Sequence, residues 1–365
     1  MMTNFNNINT RGIDKDEAMD IALKSEKTRD FKSSIDDVVI GLSSGTSGNR
    51  GMFLASDDEK ARWAGIILAK MLPTSILKKQ KIALFLRANS NLYESLNSKK
   101  IKFQFFDLIK PIDELKLELQ DYNPSILVAP PSLLRMLAKK QLDNEINLTP
   151  TKIISAAEVL DPIDEKYIGE VFNQKVHQIY QCTEGFLGHT CDHGTIHLNE
   201  DFLYIEKKFL DDEKLKFFPI ITDLERKTQP IVRYELNDIL TLKKDACPCG
   251  SHNTAIEQIE GRADDIFYFR NDQNVLVPIF PDFIRRRVIT SSDSIKEYKV
   301  VQESPEKMTA FIQSDEEISD LIHSSFVEFC ESKGFKVPEI FFETYEYTQS
   351  LNKMKRIESL YKSDA

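Results

Sequence analysis

From residue 37 onward, short runs of β-branched and aromatic residues take turns with longer amphipathic stretches, an order that few folds accept. Strands and helices alternating along a chain build a layered α/β domain around a mostly parallel sheet. Strands are expected at 37–44, 81–86, 101–106, 125–130, 152–157 and 175–182. Helices are expected at 57–72, 112–121 and 131–141, with another opening at Asp161-Pro162. From 194 to 243 the texture changes to strands separated by polar turns, which predicts a β-rich subdomain over about 194–260 with a core of its own. Beyond Gly261-Arg262 the pattern reads strand, strand, helix (281–290), strand (296–302), strand (308–313), helix (316–333) and strand (339–348). The expected organisation is a large layered α/β domain over 1–261 and a small α+β domain over 262–365.

Charge narrows the function. Asp and Glu total 58 against 48 Lys and Arg, a formal net charge of −10, which argues against a nucleic-acid or anionic-membrane surface. No apolar run reaches the roughly 18 to 20 residues that span a bilayer. The first twenty residues lack the basic start and apolar stretch of a signal peptide, so the cytosol is the expected location. In that compartment the five cysteines point to metal or reactive thiols before disulfides.

Four of the 13 glycines fall within residues 41–51, GLSSGTSGNRG, directly after the first expected strand. Such a loop can turn its backbone N–H groups inward around an anion, and Ser43, Ser44, Thr46 and Ser47 add hydroxyl donors. No Gly-Lys-Ser/Thr follows at the spacing of a Walker loop. A second knuckle, Cys247-Pro-Cys249-Gly250, places two thiols on one tight turn that cannot easily close a disulfide across a single residue. Zinc, with four S or N ligands, is the better reading, and Cys191, His193 and His197 offer the remaining donors.

SSGTSGNRG resembles the phosphate loop of the adenylate-forming superfamily of acyl and aryl ligases, and further motifs follow in that family's order. SILVAPPSLLRMLA (125–138) resembles the wall of the acid pocket, and ISAAEVL (154–160) the adenine-side segment. YQCTE (180–184) resembles the aromatic-x-x-Thr-Glu motif, PIVRYELND (230–238) the ribose motif, GRADD (261–265) the interdomain hinge, and SLNKMKR (350–356) the terminus with the catalytic Lys. The texture is nearest the branch of phenylacetate–CoA ligases and deazaflavin-coenzyme adenylyltransferases.

The resemblance implies a role for each matched residue. Ser43, Ser44, Gly45, Thr46, Ser47 and Gly48 would cradle the ATP phosphates. Glu158 and Tyr180 would line the nucleotide, Thr183 and Glu184 would serve phosphate and magnesium, and Asp238 would accept both ribose hydroxyls. Arg262 would reach the phosphates, Asp264 would be the pivot of a mobile C-terminal domain, and Lys353 would bridge carboxylate and α-phosphate, with Lys355 as the competing assignment. Read without the family, Glu184 is an exposed loop Glu, Asp238 a turn Asp, and 353–356 a solvated basic stretch. Some relatives pair Cys-x-Cys-Gly with an upstream Cys and the His that opens the next strand. That favours a structural zinc on Cys191, His197, Cys247 and Cys249, with His193 as substitute.

Three departures stand out. Asn237 and Asn352 replace glycines of the family pattern, and Asn is the non-glycine residue that most readily keeps a left-handed turn. Asn49-Arg50 stands where many relatives place Lys, which leaves the γ-phosphate contact open. About 42 residues precede the loop, where related ligases have a longer region contributing to the acid pocket or dimer surface.

The implied activity is ATP-dependent conversion of a carboxylic acid, aryl or arylacetic, to an acyl-adenylate, followed by transfer to the thiol of CoA or a carrier-protein pantetheine. The implied partners are the small-molecule acid, an acyl-carrier protein as the other acceptor, and a second copy in a homodimer. The competing expectations are AMP transfer to a hydroxyl acceptor and a degenerate nucleotide-binding subunit.

Overall fold

The computed structural model describes residues 2–31, 34–43, 50–86, 93, 95–346 and 353–362. Its N-terminal part holds a short helix α1 (Phe5–Ile8), helix α2 (Lys15–Thr28) and an antiparallel sheet of β1 (Ser34–Ile35), β2 (Val38–Leu42) and β3 (Met52–Ser56). Asp14 starts α2 by accepting the N–H groups of Asp16 and Glu17, and Phe5, Ala18, Ala22, Val38 and Leu54 close a small core. Helix α3 (Asp57–Met71) begins with a reciprocal capping box between Ser56 and Glu59. Strand β3 and the N-terminal helices were not legible in the apolar spacing.

Five parallel strands follow, β4 (Gln80–Leu86), β5 (Ile101–Asp107), β6 (Ile126–Ala129), β7 (Lys152–Ser155) and β8 (Val176–Cys182), in the order β5-β4-β6-β7-β8. Helices α4 (Ile112–Tyr122), α5 (Pro131–Leu142) and α6 (Pro162–Phe172) connect them, close to the expected positions. Alternation within each strand divides the side chains between two cores. Ala83, Phe85, Leu127 and Ala129 pack with Leu115, Leu134 and Leu137 of the helices, while Ile82, Leu84, Ile126 and Val128 face the opposite side.

The sheet continues through antiparallel strands β9 (Gly185–Thr190), β10 (Ile196–Leu198), β11 (Leu203–Phe209), β12 (Lys216–Asp223), β13 (Tyr234–Glu235), β14 (Asp238–Leu242) and β15 (Ala255–Arg262). The expected strand-rich texture is there, but its separate core is not. Phe217, Ile221, Leu240 and Ile256 share one apolar cluster with Ile82, Leu84, Ile126 and Val128, because β8 and β9 pair and make the two halves one twelve-stranded sheet.

After Arg262 come a hairpin of β16 (Phe267–Arg270) and β17 (Leu276–Ile279), helix α7 (Pro281–Ile289), β18 (Ile295–Ser304), β19 (Lys307–Ser314), helix α8 (Ser319–Lys333), β20 (Glu339–Thr344) and β21 (Ile357–Ser359). A core of Phe267, Ile284, Tyr298, Met308 and Phe326 fills this part. The unforeseen strand is β21, whose three residues pair in parallel with Val300–Gln302 and so anchor the chain just after Lys353. No helix among the described residues is long and apolar enough to cross a membrane.

Candidate active site

The carboxyl ends of β7 and β8 open into a cleft of about 1750 Å³, roofed by residues 353–355 of the C-terminal segment. Single-ligand pockets hold roughly 300–1,000 Å³, so this one has room for two substrates side by side. Parallel α/β sheets bind ligands at this end. Ser43, Glu158, Tyr180, Thr183, Glu184, Asp238, Arg262 and Lys353 all line the cleft. Ser44, Gly45, Thr46, Ser47 and Gly48, like Asn49 and Asn352, lie outside the described residues. At the base of that loop, the Ser43 hydroxyl accepts the Gly51 N–H at 2.7 Å.

Arg50, at the rim of the cleft, is engaged by protein groups. Its guanidinium grips Glu26 of α2 through two bonds of 2.7 Å and donates to the Ser43 carbonyl at 3.1 Å. A side chain that sequence comparison sets against a Lys is therefore a clamp between the loop and the N-terminal helix.

At the ribose motif the Tyr180 hydroxyl donates to Asp238 Oδ2 at 2.8 Å, leaving Oδ1 3.8 Å from Arg262 Nε. Burial raises the Asp238 pKa, against the Tyr180 bond, Arg262 and the nearby Lys353 ammonium. Asn237 does not take the positive φ its glycine-like position suggested. Its side chain is used instead, accepting from Arg262 at 2.6 and 3.0 Å and donating to Asp264 at 3.2 Å, which ties the ribose motif to the expected hinge. Ala157, beside Glu158, does take a left-handed φ of 70°, a conformation that costs a non-glycine residue about 1–2 kcal/mol.

The Thr183–Glu184 turn between β8 and β9 is held from beneath by Arg226, which donates to the Thr183 and Glu184 carbonyls at 3.0 Å each. Burial and the Glu184 carboxylate together raise the pKa of Tyr234. Arg226 was missed by sequence reasoning because it precedes the motif at 230–238, and within that motif Tyr234 and Asn237 were read without the side-chain contacts they make here.

The chain carrying Lys353 is fixed on both sides. The Met354 N–H donates to Glu158 Oε1 at 3.2 Å, and Glu158 Oε2 accepts from Ser132 at 2.7 Å. Both Lys353 and Lys355 line the cleft; the Lys355 ammonium bonds Asp265 at 2.8 Å, and Lys353 lies near enough to Asp238 to act on its carboxylate. Arg356 is buried in a ring of charge. It bonds Asp164 at 2.7 and 2.8 Å, Glu297 at 2.8 Å and the Tyr298 carbonyl at 2.9 Å, and Arg135 joins both carboxylates. Beside it the Tyr298 hydroxyl donates to Asp161, the cap of α6, which also lies 3.3 Å from Arg285.

Away from the cleft, Cys191, His197, Cys247 and Cys249 bring four ligand atoms within 4.8 Å of one another. Cys191 follows β9, His197 lies on β10, and the other two occupy the loop before β15, which pairs with β10. The Cys191 and Cys247 sulfurs are 3.7 Å apart, and Cys249 Sγ is 3.3 Å from His197 Nε2. Tetrahedral zinc, with Zn–S near 2.3 Å, requires about 3.8 Å between sulfurs and about 3.6 Å between sulfur and nitrogen. His197 Nδ1 lies 3.1 Å from the Asn253 carbonyl, an arrangement that leaves Nε2 free to ligate. His193 is exposed and outside the cluster.

No family model matches the chain. It is similar to a phenylacetate–coenzyme A ligase of Thermus thermophilus, 22% identical over 197 residues, which are 50% of this chain and 43% of that ligase. The match thus spans less than half of that relative's length. Among solved structures it is similar to a 2-hydroxyisobutyryl-CoA ligase in the postadenylation state with 2-HIB-AMP (TM-score 0.67, 15% identity, 93% of this chain and 78% of that one). Against the same ligase with CoA in the thioesterification state the TM-score is 0.51, at 17% identity and the same coverage. An anthranilate CoA ligase with anthranoyl-AMP gives 0.58 at 15% identity, over 87% of this chain and 66% of that one. The resemblance carried by the ordered sequence motifs therefore extends to the three-dimensional structure, and the chain has the fold of the adenylate-forming CoA ligases.

Proposed function

We propose that the protein is an adenylate-forming acid–thiol ligase. One observation carries this reading. Asp238, Glu184 and Lys353, about 170 residues apart at the extremes, converge on one cleft large enough for ATP and an acid together. In the first step a carboxylate oxygen attacks the α-phosphorus and pyrophosphate leaves. In the second a thiol, of CoA or a carrier-protein pantetheine, attacks the acyl carbonyl and AMP leaves.

Asp238, oriented by Tyr180, would hold the ribose. Thr183 and Glu184 would meet the phosphates, and Glu184 supplies the carboxylate for magnesium, which when bound screens phosphate charge. The Lys353 ammonium would stabilise charge building between carboxylate and α-phosphate. Residues 262–365 would move as a unit about Asp264 between the two steps. The better agreement with a postadenylation structure than with a thioesterification structure supports reading the present arrangement as the adenylating one. Zinc on Cys191, His197, Cys247 and Cys249 would be structural, since none of the four lines the cleft. Trp63, Tyr93, Phe186 and Phe202 give the cleft aromatic walls, which supports an aryl or arylacetic acid.

The test is acid-dependent ATP–pyrophosphate exchange across aryl, arylacetic and fatty acids, with Lys353→Ala and Lys355→Ala beside the native chain. Exchange with an aryl acid, lost in Lys353→Ala, is expected. A protein that binds ATP but exchanges with no acid refutes the reading, and thiol-independent labelling of an acceptor with AMP would replace it with adenylyl transfer to a hydroxyl.

A further inference from the structure

Arg226 is half-buried at the edge of the cleft, and among the described residues each of its four side-chain hydrogen bonds goes to a neutral oxygen. Nη1 takes the Thr183 and Glu184 carbonyls at 3.0 Å each, and Nη2 takes Gln229 Oε1 at 2.9 Å and the Leu54 carbonyl at 3.4 Å. Gln229, itself fully buried, continues the chain of contacts, donating to the Met52 carbonyl at 3.1 Å and accepting the Leu54 N–H at 3.1 Å. Met52 and Leu54 belong to β3, the strand that leaves the phosphate loop.

A cation drawn partly out of water and bonded only to neutral acceptors leaves its charge uncompensated, a cost recovered when an anion meets it. Acidic groups act on it from Asp223 on its own turn, whose carboxylate accepts the Arg226 backbone N–H at 3.1 Å, from Glu59 on α3 and from Glu184 above, but among the described residues none is ion-paired with its guanidinium. Arg226 also borders the cleft, beside Thr183 and Glu184.

We infer that Arg226 is a positioning residue for the polyphosphate end of the nucleotide site, locking the Thr183–Glu184 turn to β3 so that the acidic group keeps one fixed spacing from that strand. This rests on the adenylating function proposed above. Two arms follow from it. AMP is held by the ribose contacts of Asp238 and does not depend on the turn, whereas ATP with magnesium engages the turn and the loop together.

The experiment is equilibrium binding of AMP without metal and of ATP with magnesium to the full chain, in the native protein, Arg226→Lys, Arg226→Met and Gln229→Met. Losing a charged hydrogen-bonding group should weaken ATP with magnesium about tenfold or more in Arg226→Met, with AMP changed by less than about twofold. Arg226→Lys should recover part of the loss, and Gln229→Met, which leaves the cation and its long bond to the Leu54 carbonyl but removes the Gln229 bridge to β3, should fall between. If Arg226→Met fails to fold, the Arg226→Lys and Gln229→Met pair decides by the same split. Equal losses for both ligands, or none for either, overturn the inference while leaving the function intact. A native chain that binds neither ligand overturns the function and the inference with it.

Discussion

The Arg356 guanidinium is the fastening between the tail that presents Lys353 and the body of the protein, and its removal gives a strong test of the two-step reading. Arg356 belongs to the C-terminal part, as do Glu297 and Tyr298, while Asp164 and Arg135 belong to the part that holds the parallel sheet. The Asp164 side chain is 3% exposed and that of Glu297 13%. Burial raises the Asp164 pKa, and Arg356 opposes it. In Arg356→Met, two carboxylates stay buried with only Arg135 to meet them, and breaking such a pair costs about 3–5 kcal/mol. If the C-terminal part swings away as proposed, the chain avoids that cost, because Asp164 returns to water. The docked arrangement should lose population by about 10²- to 10³-fold relative to the undocked one, since each 1.4 kcal/mol is a factor of ten. Adenylation, read by ATP–pyrophosphate exchange with the best acid, should fall by up to that amount. Thioester formation from supplied acyl-adenylate should be unchanged or faster, because it does not need Lys353 in the cleft. Asp164→Asn should give the same asymmetry, and the double variant should lose less than the sum, as contacting partners do. Equal losses in both half-reactions would show that Arg356 merely supports the fold.

Three further outcomes are expected. Protein purified without added metal should carry about one zinc per chain, and Cys249→Ser should release it while His193→Ala should not; a folded, metal-free native chain would refute the site. Asp238→Ala should weaken ATP binding by roughly 10- to 100-fold, as loss of a charged hydrogen-bond acceptor does, with little change in kcat, and a kcat collapse at saturating ATP would contradict a ribose-binding role. His177 is held down to about 4 by burial from an ordinary 6.5, so between those values the unfolded chain binds the extra proton and stability must fall as pH falls. Urea titrations should show that fall flattened in His177→Phe, and an unchanged pH profile would mean another group titrates there.

Short continuous apolar runs and helical apolar spacing made the parallel strands and their connecting helices legible, because both faces of that sheet are buried. The spacing did not show that the strands after 184 share the same core. Strands of a subdomain and of a continuing sheet carry the same alternation, and only the β8–β9 pairing decides between them. Strand β21 escaped because three residues have no period, although it is what holds Lys353 in register with the cleft. The site divides along a similar line. Residues that would touch a ligand, such as Glu184, Asp238 and Lys353, sit in short motifs with fixed spacing. Those that hold them act through contacts to groups elsewhere in the chain, which sequence order does not encode: Arg226 lies outside the motifs, and Asn237, Arg50 and Arg356 lie inside them but show their partners only in the fold.

That division bears on how the proposed hinge could both fix Lys353 and release it. Apolar burial dominates within each half, in the clusters around Ile126 and Leu134 on one side and Phe267 and Phe326 on the other. The seam between the halves is instead built from Asp161, Asp164 and Glu260 against Arg285 and Arg356. Buried ion pairs add little net stability, because water solvates the same groups well when they separate, but they demand exact geometry while they are closed. An apolar seam of the same size would cost about 25 cal/mol for every Å² exposed on opening, and would hold the tail shut. A charged one defines a single docked position for Lys353 and opens at small net cost, the combination a ligase needs if the same cleft is to admit a thiol after pyrophosphate has left.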